Sequence, residues 1–263
     1  MIVNASSTLL QRILEKLLPI SEVEAHQIAS ILRKHGVEKG LVLDAGCGIG
    51  RIAIHLAEMG YEVVCLDIEP NLVSYAHRLS RERSPNQLLH PLVADGRFLH
   101  GVFRSNSFDA VLFYWGSVFG LYDRETDREI LCRSYEVSKR GAKLFILRYY
   151  DKIRLQLLHG LLGYGPLYWI NDFGDSMTIE EHRYDYVQGV VRTTIKVFEK
   201  HGDYLRYLGN VEVSINVYSI DELIRIASSC GWELEEVYGS LANALPYDSM
   251  PLPLNLNAVF TKR

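Results

Sequence analysis

The sequence predicts an α/β chain: a parallel sheet interleaved with helices, two helices before it and an antiparallel β element inserted late. Three observations carry that expectation. Apolar runs at residues 41–43, 61–66 and 108–114 alternate with stretches of helical period. A glycine-rich turn, Gly46-Cys47-Gly48-Ile49-Gly50, joins the first run to the first of those helices. From Thr178 the apolar period drops to two, over three runs separated by short turns.

The elements follow in order. Leu9, Leu10, Ile13, Leu14, Leu17 and Leu18 form the apolar stripe of an amphipathic helix. Arg12, Glu15 and Lys16 interrupt it, so it reads neither as a signal peptide nor as a membrane span, which needs ~18 or more apolar residues in a row. A second helix is expected from a Ser21…Glu24 capping box, with Val23, Ile28, Ile31 and Leu32 inward. Residues 51–59 read as the helix after the glycine turn. Ile52, Ala53, Leu56 and Ala57 face the core there, Arg51, His55 and Glu58 face water, and Gly60 ends it. A second strand closes on Asp67, a third on Asp95-Gly96, and the fourth opens at Phe108-Asp109. A Thr126…Glu129 capping box then starts a helix, and a turn at residues 138–141 leads to a fifth strand.

Glycine spacing selects the ligand. A dinucleotide loop places glycines at its first, third and sixth positions. Here they are Gly46, Gly48 and Gly50, and the sixth position holds Arg51, which would crowd helix–strand packing. Asp44 stands two positions before the first glycine, where it would repel a pyrophosphate but match a ligand with a positive end. The pattern Asp44-x-Gly46-x-Gly48-x-Gly50 after an apolar strand resembles the first motif of the class I S-adenosylmethionine-dependent methyltransferases. Asp67, 17 residues after Gly50, and Asp95 extend the match.

The resemblance implies a Rossmann-like seven-stranded methyltransferase sheet and S-adenosyl-L-methionine as cofactor. It implies contacts from Asp44, Gly46, Cys47 and Gly48 in the loop, and from Asp67 to the ribose hydroxyls. Ile68 would lie against the adenine and Asp95-Gly96 near its amino group, with Phe113 and Tyr114 at the end of the fourth strand. A carboxylate accepts two hydrogen bonds at once, which fits a vicinal diol. Cys47 is expected as a small residue in a tight loop.

Residues 151–218 break the alternation. Residues 151–162 read as a helix with Ile153, Leu157, Leu158 and Leu161 on one side, and 163–174 as a loop. Three alternating runs follow: His182, Tyr184 and Tyr186; Val191, Thr193, Ile195 and Val197; then Val211, Val213, Ile215 and Val217. Turns are expected at Gln188-Gly189, His201-Gly202-Asp203 and Gly209-Asn210. The arrangement resembles the small-molecule branch of the family, in which a β lid is inserted after strand five. A Ser219…Glu222 capping box opens a last helix, and residues 233–238 and 257–261 supply a final strand pair. The chain reads as a single domain, with N-terminal helices (1–36), a cofactor-binding half (37–150), a lid insertion (151–218) and a C-terminal helix and strand pair (219–263).

Composition bounds the partners. At 263 residues and 48% apolar content the chain can bury one sizeable core. A net charge of −4 lacks the basic field of nucleic-acid binders. Cys47, Cys65, Cys132 and Cys230 are scattered without C-x-x-C spacing, which points to a reducing, cytoplasmic setting and no metal site. Methyl transfer from a sulfonium mainly needs alignment and, for a protonated acceptor, a base. No motif names that base, so the catalytic residue stays open, with Tyr114, Trp115, Tyr149, His182, Arg183 and Tyr184 as candidates. The expected activity is methyl transfer to an oxygen or nitrogen of a small-molecule substrate, by a monomer or homodimer, with no membrane partner. The alternatives are a non-catalytic cofactor-binding scaffold and a protein or RNA methyltransferase.

Overall fold

The structure is a computed structural model that describes residues 3–4, 7–83, 88–249 and 255–263. In chain order, β1 (Val3–Asn4), α1 (Ser7–Lys16) and α2 (Leu18–Lys34) lead into β2 (Leu41–Ala45), α3 (Ala53–Glu58), β3 (Glu62–Asp67) and α4 (Pro70–Arg83). Next come β4 (Leu89–Val93), α5 (Leu99–Val102), β5 (Phe108–Tyr114), α6 (Arg124–Val137), β6 (Ser138–Tyr150) and α7 (Lys152–Leu161). Four strands follow: β7 (Leu167–Asp172), β8 (Ser176–Asp185), β9 (Val190–His201) and β10 (Tyr204–Asn216). Last are α8 (Ile220–Ser229), β11 (Trp232–Ser240), β12 (Leu245–Pro246) and β13 (Asn255–Lys262).

The larger sheet has the order β12-β11-β13-β6-β5-β2-β3-β4, so the expected seven strands are extended by the two-residue edge strand β12. Strands β6, β5, β2, β3 and β4 pair in parallel, while β13 and β11 add on antiparallel. The first strand of this sheet in chain order, β2, has β3 on one side and β5 on the other. That reversal of strand order opens a crevice at the C-terminal ends of β2 and β5, where open α/β sheets bind ligands. Ile28, Ile31, Leu32 and Leu56 bury one face of the sheet, and Ile130, Leu131, Leu223 and Ala227 bury the other.

The second sheet is antiparallel, in the order β1-β10-β9-β8-β7. It contains one strand more from the insertion than the apolar period suggested. β7 lies in the stretch read as a loop; Leu167, Trp169 and Asn171 pair directly with His182, Glu180 and Thr178. Gly209 marks no turn. β10 runs through it, and the register with β9 shifts between Tyr207 and Gly209, so the extra residue is absorbed as a bulge.

Helix ends and faces also differ from expectation. α2 starts at Leu18 with a proline in its first turn, which places Ser21 and Glu24 inside the helix, both buried. α6 is capped by Asp123, whose carboxylate accepts from Thr126 N at 2.9 Å, in place of Thr126 itself. α7 is capped by Asp151 and buries Leu155, while Ile153, Leu157 and Leu161 are exposed. Leucines occur on several sides of α7, so period alone could not choose its inward face. At α8 the Ser219…Glu222 capping box forms with both reciprocal bonds.

The cysteines are not four separate thiols. Cys47 is disulfide-bonded to Cys65 and Cys132 to Cys230, with Cα separations of 5.4 and 4.6 Å, ordinary spans for a bridge. Pairing across 18 and 98 residues is set by tertiary proximity, which spacing rules do not see. No helix among the described residues is long and apolar enough to cross a membrane.

Candidate active site

The glycine turn is held by the strand beside it. Leu66 O accepts from Gly46 N at 2.7 Å and from Cys47 N at 3.0 Å, and Asp67 Oδ2 accepts from Gly48 N at 2.8 Å. Gly46 has φ +81°, and a Cβ there would stand 2.5 Å from Ser117 Cβ, so only glycine fits. A Cβ on Gly48 would meet Leu14 Cδ1 of α1 at 3.0 Å, which shows that α1 covers the turn. The helix beyond is shorter than expected, and Arg51 and His55 are buried, not solvated.

The reason is α2. Its Glu24 lies over the turn and bonds the guanidinium groups of both Arg51 and Arg148, so an arginine in the small-residue position is neutralised from above. The Arg51 guanidinium also lies over the Tyr114 and Trp115 rings, 5.5 and 5.4 Å from their centroids. Trp115 and Arg148, at the ends of neighbouring strands, are both left-handed, with φ +64° and +50°. Such backbone is strained for a non-glycine residue and gathers at functional sites.

The predicted cofactor residues divide by environment. Asp44 is 3% exposed, and burial raises its carboxyl to about 7 against the pull of Arg51. Asp67 is raised by burial too, although it accepts from Gly48 N and, at 2.9 Å, from Glu69 N. Each of its oxygens keeps a lone pair for another donor. Ile68 is 50% exposed beside it. Asp95 is committed to Arg97, which donates from its backbone N at 2.9 Å and from Nη2 at 2.6 Å and holds the carboxyl below its usual range. Gly96 packs under Val118, where a Cβ would come within 2.8 Å. Cys47 is tied to Cys65. Phe113 lies in the core beside Phe119, on the sheet face opposite Tyr114.

The catalytic candidates also separate. Burial pushes the Tyr114 hydroxyl well up, and no hydrogen-bond partner satisfies it among the described residues. Tyr149 is a core residue whose hydroxyl donates to Asn216 O, so its proton is already engaged. His182 and Tyr184 lie on the inner face of the antiparallel sheet, both buried, while Arg183 points outward. Trp115 is 47% exposed at the crevice.

The antiparallel sheet is anchored across the crevice. Asn216 N donates to Gly120 O at 2.8 Å, and Ile215 Cδ1 lies 3.1 Å from where a Cβ on Gly116 would stand. Asp127, fully buried in α6, accepts from Gly120 N (2.9 Å), Asn216 Nδ2 (2.7 Å) and Tyr218 Oη (2.6 Å). Sequence reasoning missed Glu24, Arg148, Ser117 and Asp127. Asp127 left a signal, because it shares helical spacing with the buried Ile130, Leu131 and Ser134.

These features fit an extended ligand with a cationic end and a diol: an ionisable acid at Asp44 with no hydrogen-bond partner among the described residues, a cradle that admits only glycine, and free acceptor capacity at Asp67. Residues 42–141 match the family model described as a methyltransferase domain. Over 134 residues the chain is 34% identical to a glycine/sarcosine N-methyltransferase of Parasynechococcus marenigrum, covering 51% of this chain and 46% of that protein. Residues 42–141 thus carry a methyltransferase domain of the S-adenosylmethionine-dependent kind.

Solved methyltransferases share the fold across nearly the whole length. The CcbJ methyltransferase of Streptomyces caelestis aligns over 93% of this chain and 96% of its own, with a TM-score of 0.73 at 17% identity. CalS10 of Micromonospora echinaspora, an amino pentose methyltransferase solved with S-adenosylmethionine bound, aligns over 92% of both chains, with a TM-score of 0.64 at 16% identity. The chain spans under half the length of the curated relatives it matches. Asp44, Gly46, Gly48, Asp67 and Ile68 gather around the glycine turn, at the C-terminal ends of β2 and β3.

Proposed function

We propose that the protein transfers the methyl group of S-adenosylmethionine to an oxygen or nitrogen of a small-molecule acceptor. One observation carries the reading: the antiparallel sheet docks through Ile215 and Asn216 onto residues 116–120, beside the glycine turn. A lid in that place would close the crevice to water, which suits a small acceptor better than a polymer. The names of relatives support the same size class, since one acts on glycine or sarcosine and another on an amino pentose.

When bound, the cofactor supplies an electrophilic methyl on a sulfonium. The chain's own residues do the rest. Asp44 offers the negative charge for the cationic end, and Asp67 orients the sugar through its remaining lone pairs. The lid and α1 exclude water, and holding two reactants in line contributes ~7–11 kcal/mol toward the barrier. Tyr114, whose hydroxyl holds its proton far above neutrality, serves as a hydrogen-bond donor and not as a base. Turnover tests the proposal. Purified protein is incubated with S-adenosylmethionine and pooled small amines and alcohols, and S-adenosylhomocysteine release is followed. Cofactor binding with no acceptor-dependent release would make the protein a scaffold.

A further inference from the structure

The inner face of the lid is covered at its two ends by different helices. Leu155 of α7 packs on Leu167, Tyr184 and Val191 at one end. Ile13 of α1 packs on Val197 and Val211 at the other. Between them run two cross-strand rows, Val213–Thr193–His182–Leu167 and Val211–Ile195–Glu180–Trp169. Glu180 and His182 are therefore acidic and basic side chains set into a largely apolar surface.

Their polar atoms are only half engaged. His182 is 3% exposed, and its Nδ1 lies 2.9 Å from Thr193 Oγ1 and 3.4 Å from Tyr150 Oη. Its Nε2 has no hydrogen-bond partner among the described residues; Glu180 Oε2 is 3.3 Å away but off the hydrogen-bonding direction. Glu180 accepts from Asn171 Nδ2 at 2.8 Å, and among the described residues its only ion-pair neighbour is His182. His159 of α7 is likewise buried with an unpartnered Nε2, and burial and the neighbouring His182 hold it below the usual imidazole range. The Trp169 ring meets His182 edge to face, with centroids 4.3 Å apart.

Buried polar atoms without partners are rare in folded proteins. Here a carboxylate, an unpartnered ring nitrogen and aromatic faces all favour the same guest, a positive charge that can donate hydrogen bonds. No three histidine, cysteine or acidic side chains among the described residues converge as a metal site, so the complementary guest is organic. Its place relative to the crevice follows from register. His182 is two strands across and two residues along from Ile215, or ~12 Å at ordinary strand spacing and rise. Ile215 touches the crevice at Gly116. The stripe is thus one small molecule's length from the glycine turn.

We propose that Glu180, His182 and Trp169 form a lid subsite that takes a protonated amino group of the acceptor, anchoring it at a distance from the atom to be methylated. The assignment of the guest as an acceptor rests on the methyltransferase reading; the cation preference itself does not. Three probes of one shape decide it: cyclohexylamine, cyclohexanol and cyclohexanecarboxylate, titrated at pH 7 by ligand-observed NMR with and without S-adenosylhomocysteine. The amine should bind roughly tenfold more tightly than the alcohol, and the carboxylate least. Glu180→Gln should equalise amine and alcohol while leaving S-adenosylhomocysteine affinity unchanged by calorimetry. Glu180→Asp, which keeps the charge, should retain the preference, and Trp169→Leu should weaken the amine about fivefold. Equal binding of amine and alcohol, no binding of any probe, or amine binding indifferent to Glu180→Gln would overturn the proposal. Glu180-dependent amine binding in a protein that does not bind S-adenosylhomocysteine would uphold the subsite and sink the cofactor reading instead.

Discussion

The glycine turn and the lid are built on opposite plans. Around the turn, the bonds run between nearest strands: Gly46, Cys47 and Gly48 donate to Leu66 and Asp67, on the strand that pairs with β2. Most of those acceptors are backbone or strand-end groups, so truncating any one side chain leaves the loop in place. The lid, besides packing on α1 and α7, is tied through one buried carboxylate. Asp127 joins α6, the Gly120 turn, the end of β10 and Tyr218 before α8, through bonds that span up to 91 residues. The cofactor half should therefore tolerate side-chain loss that changes affinity alone, whereas the lid anchor should fail as a unit.

Removing the lid puts that contrast to its hardest test. Replacement of residues 165–213 by a short Gly-Ser linker keeps Asn216 and Tyr218 for Asp127 and should abolish methyl transfer while sparing most cofactor affinity. A monomeric variant that stayed active would refute the lid role, and joint loss of activity and of a dimer would make the sheet an interface.

A smaller effect is expected at the anchor itself. Asp127→Ala leaves Gly120 N and Tyr218 Oη without an acceptor, while Asn216 Nδ2 keeps Tyr122 O, and should cost ~2–5 kcal/mol in chemical denaturation, at ~1–3 kcal/mol for each unsatisfied group. A cost near zero would mean that the lid is held elsewhere. In contrast, Asp67→Ala should leave the fold intact and weaken S-adenosylhomocysteine binding by ~1.5–3 kcal/mol, the range for hydrogen bonds to a charged group. Calorimetry on the folded variant reads it directly, and unchanged affinity would remove Asp67 from the site.

The smallest effect concerns pH. Burial raises the Asp44 carboxyl to about 7 from an ordinary 3.8. The folded chain thus holds a proton that the unfolded chain has lost between those values, so this group's contribution to stability is greatest at low pH and falls as pH rises through the window. A cationic ligand favours the ionised form. S-adenosylhomocysteine should therefore bind about tenfold less tightly at pH 6 than at pH 8, the factor for one unit below the raised value. Asp44→Asn should flatten that profile. A wild-type profile already flat across pH 6–8 would show that Asp44 does not face the cationic end.

How far the site was legible follows the range of each interaction. Gly46 could be read because a left-handed turn against Ser117 admits no side chain, whatever else surrounds it. Asp67 could be read because a strand end is a local feature. Arg51 could not: its helix face looked polar, and only Glu24, 27 residues earlier, makes burial possible. Phe113 and Tyr114 are neighbours whose fates diverge because alternate side chains of β5 enter different cores.

By itself the sequence determined the alternation of strands and helices, the glycine spacing, the acids at strand ends and the Ser219 cap of α8. Each is set by groups within a few residues of one another, through backbone sterics, side-chain period or local hydrogen bonds. Tertiary structure alone decided that Gly209 is a bulge, that α7 turns Leu155 inward, that Cys47 meets Cys65 and that Glu180 and His182 share a face between two covering helices. Those outcomes depend on which distant segments arrive as neighbours, and burial then assigns a partner, or none, to each polar group.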